Sequence, residues 1–65
     1  MKDYRYEIEY KGVTAGTHIR HHARKFIVTA QNSHAAVRQV RDKVADDPLL
    51  SRLFYTSYRV NLLDN

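Results

Sequence analysis

Three closely spaced histidines, His18, His21 and His22, are the first candidates for chemistry, because imidazole is a common zinc ligand. Ligands of one zinc ion lie about 2.1 Å from it, and therefore within a few ångströms of each other. On an extended strand, at about 3.3 Å per residue, His18 and His22 are about 13 Å apart, and His21 and His22 face opposite sides. The chain has no cysteine to complete such a site. We therefore expect neither a metal nor another cofactor.

Other residues that could support catalysis lack the necessary geometry. Ser33 and His34 are adjacent, and neighbouring helical residues do not face each other. Glu7 and Glu9 would share the exposed side of a strand, whereas acid–base catalysis requires an enclosing pocket. The segment 12–16 has two glycines but lacks the lysine and the glycine spacing of phosphate-binding loops. The sequence therefore predicts a protein that is not an enzyme.

Acidic residues are absent from a long central stretch. The formal net charge is +4, and no Asp or Glu occurs from Tyr10 through Arg41. Such segregation favours a basic surface that binds a polyanion, although a positive charge also serves solubility alone. The side chains that we expect to contact nucleic-acid phosphates are Lys11, His18, Arg20, His22, Arg24, Lys25, Arg38 and Arg41.

The spacing of these cations predicts how they are presented. On an extended arm, every second residue from His18 to Arg24 would point to one side, at intervals of about 6.6 Å. His34, Arg38 and Arg41 have helical spacing and would extend the same patch. Tyr55 would face solvent and could stack on a base, although ordinary sheet packing is the commoner role of such a tyrosine.

Two strands are predicted in the first half of the chain. Tyr4 to Lys11 alternates between apolar and charged residues, which is typical of a half-buried strand, and its charged side suits a basic neighbouring strand. Gly12 and Gly16 predict a hairpin loop between them. Residues 25–30 predict the second strand, and the polar residues 17–24 favour an extended arm over a loop.

The second half predicts a helix followed by a strand. Asn32 or Ser33 can cap a helix over residues 33–46 that buries a stripe of apolar residues, Ala36, Val37, Val40 and Val44. Asp47 precedes a proline and can cap a short second turn through Leu49, Leu50 and Leu53. A final strand over residues 54–63 would place Phe54, Tyr58, Val60 and Leu62 on the inward side.

The order is therefore β-β-α-β, an α+β fold with a three-stranded antiparallel sheet and one helix packed on one face. A strand–helix–strand connection makes the second and third strands parallel, so the order 2-1-3 gives only antiparallel neighbours. The alternative order is 1-2-3. A chain of 65 residues supports one small domain, residues 1–65, with a thin core that is consistent with a homodimer.

Composition also indicates a location. The chain has no cysteine, which fits a reducing, cytoplasmic compartment. No apolar run approaches the ~20 residues of a membrane helix, and the charged residues 1–7 do not resemble a signal peptide. We therefore expect no membrane association.

Two functional hypotheses follow. The first is a small basic protein that binds DNA or RNA, largely through phosphates. The second is a protein-binding inhibitor or adaptor that recognises an acidic or hydrophobic partner through a sheet edge or through Leu49, Leu50 and Tyr55. Small proteins of phages and mobile elements that act on host protein complexes have this size, an analogy that rests on size alone.

Overall fold

Apolar and polar residues alternate along the strands, and apolar residues recur at helical spacing in the helix. These patterns produce a sheet covered by one helix. The computed structural model describes residues 2–16 and 18–63. Its elements are β1 (Tyr4–Thr14), β2 (Arg20–Ala30), α1 (Ser33–Asp46), a 3₁₀ turn (Leu50–Arg52) and β3 (Phe54–Leu62). The strands form an antiparallel sheet in the order β2-β1-β3. The predicted α+β fold and the order 2-1-3 are confirmed.

The central strand β1 places its apolar residues against the helix. Tyr6, Ile8 and Tyr10 are buried, and Ile8 lies between Phe26 of β2 and Val60 of β3 in the register. Burying an apolar side chain of this size contributes about 1.5–3 kcal/mol, so a core of only ten buried residues depends on each of them. In the part of the chain that the structure describes, no helix packs on the other side of the sheet, which we call the open face.

The helix begins and packs as predicted. Asn32 is the N-cap, and its Oδ1 accepts a hydrogen bond of 2.8 Å from the amide of Ala35. Ala36, Val40 and Val44 are buried against the sheet. Within residues 2–16 and 18–63, no helix combines the length and hydrophobicity needed to cross a membrane.

The predicted hairpin loop at residues 12–16 is wrong. β1 continues through Gly12, which pairs with His22, and the last pair of the hairpin is Thr14 with Arg20. Gly12 is buried because Leu53 packs directly on it: a Cβ atom at position 12 would lie 2.7 Å from the Leu53 Cβ. The glycine therefore permits a close approach within the strand, β1 continues to Thr14, and β2 begins at Arg20.

Strand β3 contains a β-bulge that the alternating pattern did not reveal. Lys11 pairs with Ser57 and Val13 with Phe54, so β3 has one more residue than β1 over this interval. Leu53 and Tyr58 both face the helix side but lie an odd number of positions apart, which strict alternation cannot satisfy. The extra residue at the bulge shifts the register by one, so that both Leu53 and Tyr58 face the helix.

Two predicted inward residues of β3 are exposed. Phe54 precedes the bulge, so it is on the opposite side from the one predicted and is 56% exposed. Leu62 keeps the inward register opposite Tyr6 but lies at the end of an edge strand, where the helix covers the sheet less well than over β2. Tyr58 and Val60 pack against the core as predicted.

Asp47 connects the helix, the 3₁₀ turn and β2. Its Oδ1 accepts hydrogen bonds of 2.9 Å from the amides of both Leu49 and Leu50, and its Oδ2 accepts one of 3.0 Å from Arg24 Nη1. The predicted cap is confirmed. The Leu50 amide is the main cause of a lowered pKa of the Asp47 carboxyl, the Leu49 amide and Arg24 lower it further, and desolvation opposes them. The cap holds Leu50, which is buried and accepts a hydrogen bond from the Tyr10 hydroxyl.

We predict that Gly12→Ala destabilises the fold by about 1–3 kcal/mol, because the new methyl group overlaps Leu53 and Thr56. Urea denaturation followed by circular dichroism measures the change. Ser57→Thr adds a carbon at an exposed position of the neighbouring strand and should change stability by less than about 0.5 kcal/mol. An unchanged urea midpoint for Gly12→Ala would contradict the close packing of Leu53.

We predict that the stabilising effect of the Asp47 charge disappears in acid. Because its pKa is lowered in the folded state, the effect is complete above the ordinary value of about 3.9 and is lost as the pH falls through the lowered value. Asp47→Asn keeps an oxygen acceptor but has no charge. It should be less stable than the original protein at pH 7, and the difference should shrink as the pH falls below about 4.

Thermal denaturation across this pH range tests the prediction. Asp46→Asn removes the same charge from the adjacent exposed residue and should retain the acid transition of the original protein. A difference between Asp47→Asn and the original protein that does not vary with pH would refute the role of the charge.

Candidate nucleic-acid interface

The molecule is elongated, with principal dimensions of 48 × 21 × 13 Å, and one end of the sheet is free of acidic residues. We call this region the arm end; it comprises residues 11–15, 18–24 and 53–57. It contains the last part of the β1–β2 hairpin and the start of β3. The acidic residues nearest in sequence are Glu9 and Asp47, at its base. Two cations of the arm end, Lys11 and Arg24, pair with these acids, at 3.5 and 3.0 Å.

Three of the predicted cations form a row on the helix side of β2. Arg20, His22 and Arg24 are alternate residues of the strand. Arg20 is exposed, and the His22 ring lies 3.4 Å from the Thr14 hydroxyl. His18 was predicted to continue the row, but strand pairing begins at Arg20, so His18 lies in the connection instead.

Two predicted cations, Lys11 and Lys25, lie on the open face and are paired with acids of the central strand. Lys11 Nζ is 3.5 Å from Glu9, and Lys25 Nζ is 3.9 Å from Glu7. Both lysine side chains remain more than half exposed. Exposed pairs of this kind contribute about 0–1 kcal/mol, so the lysines can exchange carboxylates for phosphates at little cost.

The helix cations Arg38 and Arg41 do not lie beside the β2 row. The helix turns Gln39 toward β2, where its side-chain amide donates a hydrogen bond of 2.9 Å to the carbonyl of Thr29. Arg41 lies on the other side, near Tyr58 of β3. Burial raises the pKa of the Tyr58 phenol, the neighbouring Tyr10 adds to the rise, and the charge of Arg41 opposes it.

Arg38 is one turn from Arg41 on the same exposed flank. These two arginines thus form a separate basic surface toward β3. The expectation that the helix extends the patch of the arm is not met.

Tyr55 is the most exposed aromatic residue of the arm end, at 91%. Its backbone is in the left-handed region, with φ of 53°, which is uncommon for any residue other than glycine and costs conformational energy. The sequence pattern correctly predicted that Tyr55 faces solvent. It missed the exposure of Phe54, because a bulge leaves no trace in residue type.

Two shallow grooves flank the Tyr55 ring. One, of about 470 Å³, lies on the open face and is lined by Lys11, Gly12, Val13, His21, His22, Ala23, Tyr55 and Ser57. The other, of about 410 Å³, lies at the tip and is mainly apolar, lined by Val13, Thr14, Ala15, Ile19, Phe54 and Tyr55. His21 was not among the predicted contacts, because it faces away from the β2 row. The first groove joins it to Lys11 across the hairpin.

The arm end thus offers cationic, aromatic and apolar contacts on an exposed strand pair. Across residues 2–16 and 18–63, no three histidine or carboxylate side chains are grouped as ligands of a metal ion would be. Comparisons of the chain with protein-family models, with curated proteins and with solved structures find no match.

Proposed function

We propose that this protein binds nucleic acid through the arm end, mainly by contacts to phosphates. The observation that carries the proposal is that an exposed strand pair presents cations on both of its sides while the arm end contains no acidic residue. Arg20 and His22 lie on one side, and Lys11 and His21 on the other. A polyanion can therefore contact several cations on the arm, with the carboxylates of Glu9 and Asp47 confined to its base.

The internal ion pairs of the predicted cations are compatible with phosphate binding. Arg24 uses Nη1 to bind Asp47, and a guanidinium has five N–H donors, so other donors stay available. Lys11 and Lys25 form only exposed pairs of 3.5 and 3.9 Å. Arg20 has no acidic partner among the described residues. The arm can thus bind phosphate while Asp47 still holds the 3₁₀ turn.

The proposal describes a binding protein and not an enzyme. The two grooves are open, and the residues that line them supply charge and apolar surface. We also propose that it acts in a reducing compartment such as the cytoplasm, because a chain without cysteine has no disulfide to gain elsewhere.

A second candidate function is binding to a protein partner with an acidic surface, as an inhibitor or adaptor. The exposure of Ile19, Phe54 and Leu49 favours it, because grouped apolar side chains often form interfaces. Leu50 is 2% exposed and packs from the 3₁₀ turn into the core, so it cannot belong to such a surface as the sequence suggested. The absence of acidic residues at the arm end would suit an acidic partner.

We predict salt-dependent binding that depends on the arm end. Short mixed-sequence DNA and RNA oligonucleotides should bind in fluorescence anisotropy at about 50 mM salt and more weakly at about 200 mM, because phosphate contacts release counterions. In the double variant Lys11→Gln/Arg20→Gln, affinity should fall about 10-fold or more at low salt. The slope of log K against log salt should become shallower by roughly one to two, since two phosphate contacts are lost.

A control with the same net charge is Lys2→Gln/Lys43→Gln, which changes two exposed lysines outside the arm end. It should lose much less affinity than the arm variant. Equal losses in the two variants would show that net charge alone drives binding. Affinity that is independent of salt would contradict phosphate binding altogether.

A further inference from the structure

We propose that the arm end selects single-stranded nucleic acid, with an unpaired base stacked on the ring of Tyr55. This inference rests on the proposed function and adds the class of strand to it. Bases of single strands can stack on aromatic side chains, whereas bases in a duplex are already stacked on one another. An exposed ring inside a basic surface therefore distinguishes the two forms.

The distribution of aromatic residues supports this inference. The chain has five tyrosines and two phenylalanines. All but two of these seven rings are buried or packed against the core. The two exposed rings, Phe54 and Tyr55, are adjacent and both lie at the arm end. The aromatic residues that the core does not use are thus concentrated where acidic residues are absent.

The backbone of β3 specifically projects the Tyr55 ring. The bulge sets Tyr55 and Thr56 of β3 against Gly12 of β1, since Val13 pairs with Phe54 and Lys11 with Ser57, and Tyr55 is the one with a positive φ. Glycine would adopt its positive φ without strain, yet a tyrosine occupies the position. β-Bulges commonly re-aim a side chain at a binding site. The 91% exposure shows that packing within the chain does not explain this ring.

The surroundings of the ring suit a nucleotide. On the open face, Lys11 and His21 line the same groove as Tyr55 and lie within reach of the phosphates that flank a stacked base. At the tip, Ile19 and Phe54 form the apolar groove on the other side of the ring and can cover a neighbouring base. A side chain of a protein partner could occupy the apolar groove. The cations of the first groove would then lack an anionic partner unless acidic residues flanked that side chain.

The test compares three substitutions of Tyr55, measured against a single strand and its duplex in both DNA and RNA. Tyr55→Phe keeps the ring and should bind the single strand within about twofold of the original protein. Tyr55→Leu keeps the strained backbone but loses the ring and should bind the single strand roughly 10-fold or more weakly. Neither should change affinity for the duplex by more than about twofold.

Tyr55→Gly separates binding from folding. It removes both the ring and the unfavourable φ, so its urea midpoint should be unchanged or higher while its affinity for the single strand falls as in Tyr55→Leu. Weaker binding by a protein that is at least as stable cannot be attributed to unfolding.

Tyr55→Trp gives a direct optical signal, because the chain has no other tryptophan. Its fluorescence should be quenched by the single strand and not by the duplex, as expected of base stacking.

The outcomes distinguish this inference from the proposed function. One outcome would overturn base stacking but support the phosphate-binding surface. In it, single strand and duplex bind equally, Tyr55→Leu binds both like the original protein, and Lys11→Gln/Arg20→Gln still weakens binding of both. If Tyr55→Leu weakens single strand and duplex alike, the ring contacts the backbone and base stacking is again overturned. If no oligonucleotide binds at low salt, both proposals fail and the apolar groove is left to a protein partner.

Discussion

The packing of the 3₁₀ turn on the central strand is the contact on which the rest of this small structure depends. Leu53 lies so close to Gly12 that only glycine fits in the strand there. The same segment places Leu50 in the core, with its carbonyl accepting a hydrogen bond from the buried Tyr10. Asp47 holds the segment by bonding two of its amides. In a core of ten buried residues, Leu50 and Leu53 are two that neither the helix nor a strand contributes.

This contact also determines the chemistry of the arm end. With Leu53 pointing inward, Phe54 must point outward, and the strand can return Tyr58 to the core only by inserting an extra residue. At this bulge, Tyr55 has its ring exposed and its backbone in the left-handed region. An apolar packing requirement on one face of the sheet thus produces an aromatic surface on the other.

The charges are arranged by the same strand pairing. Glu7 and Glu9 lie in β1 and form ion pairs on the open face with Lys25 and Lys11, respectively. The acids therefore offset Lys25 and, at the base of the arm end, Lys11, while Arg20 has no acidic partner among the described residues. Arg24 is held at the boundary by Asp47, which links the fold of the 3₁₀ turn to the base of the basic arm.

The sequence by itself determined the elements and their order. Alternation predicted β1 and the part of β2 at residues 25–30, and a cap at Asn32 or Ser33 with the stripe Ala36, Val37, Val40 and Val44 predicted the helix. Chain connectivity favoured the order β2-β1-β3 over 1-2-3, because it makes all neighbours antiparallel, and the structure confirms it. These features depend on local spacing and on short connections, which residue types record directly.

Only the tertiary structure decided where the β1–β2 hairpin turns, where β3 has its bulge, and which of the predicted cations lie together. Gly12 looks like a turn residue until Leu53, distant in sequence, is seen to pack on it. The exposure of Phe54 follows from a register that depends on two strands at once. The separation of Arg41 from the β2 row depends on which flank of the helix faces which edge of the sheet. Each depends on contacts between distant segments, and residue type and spacing along one segment carry no record of them.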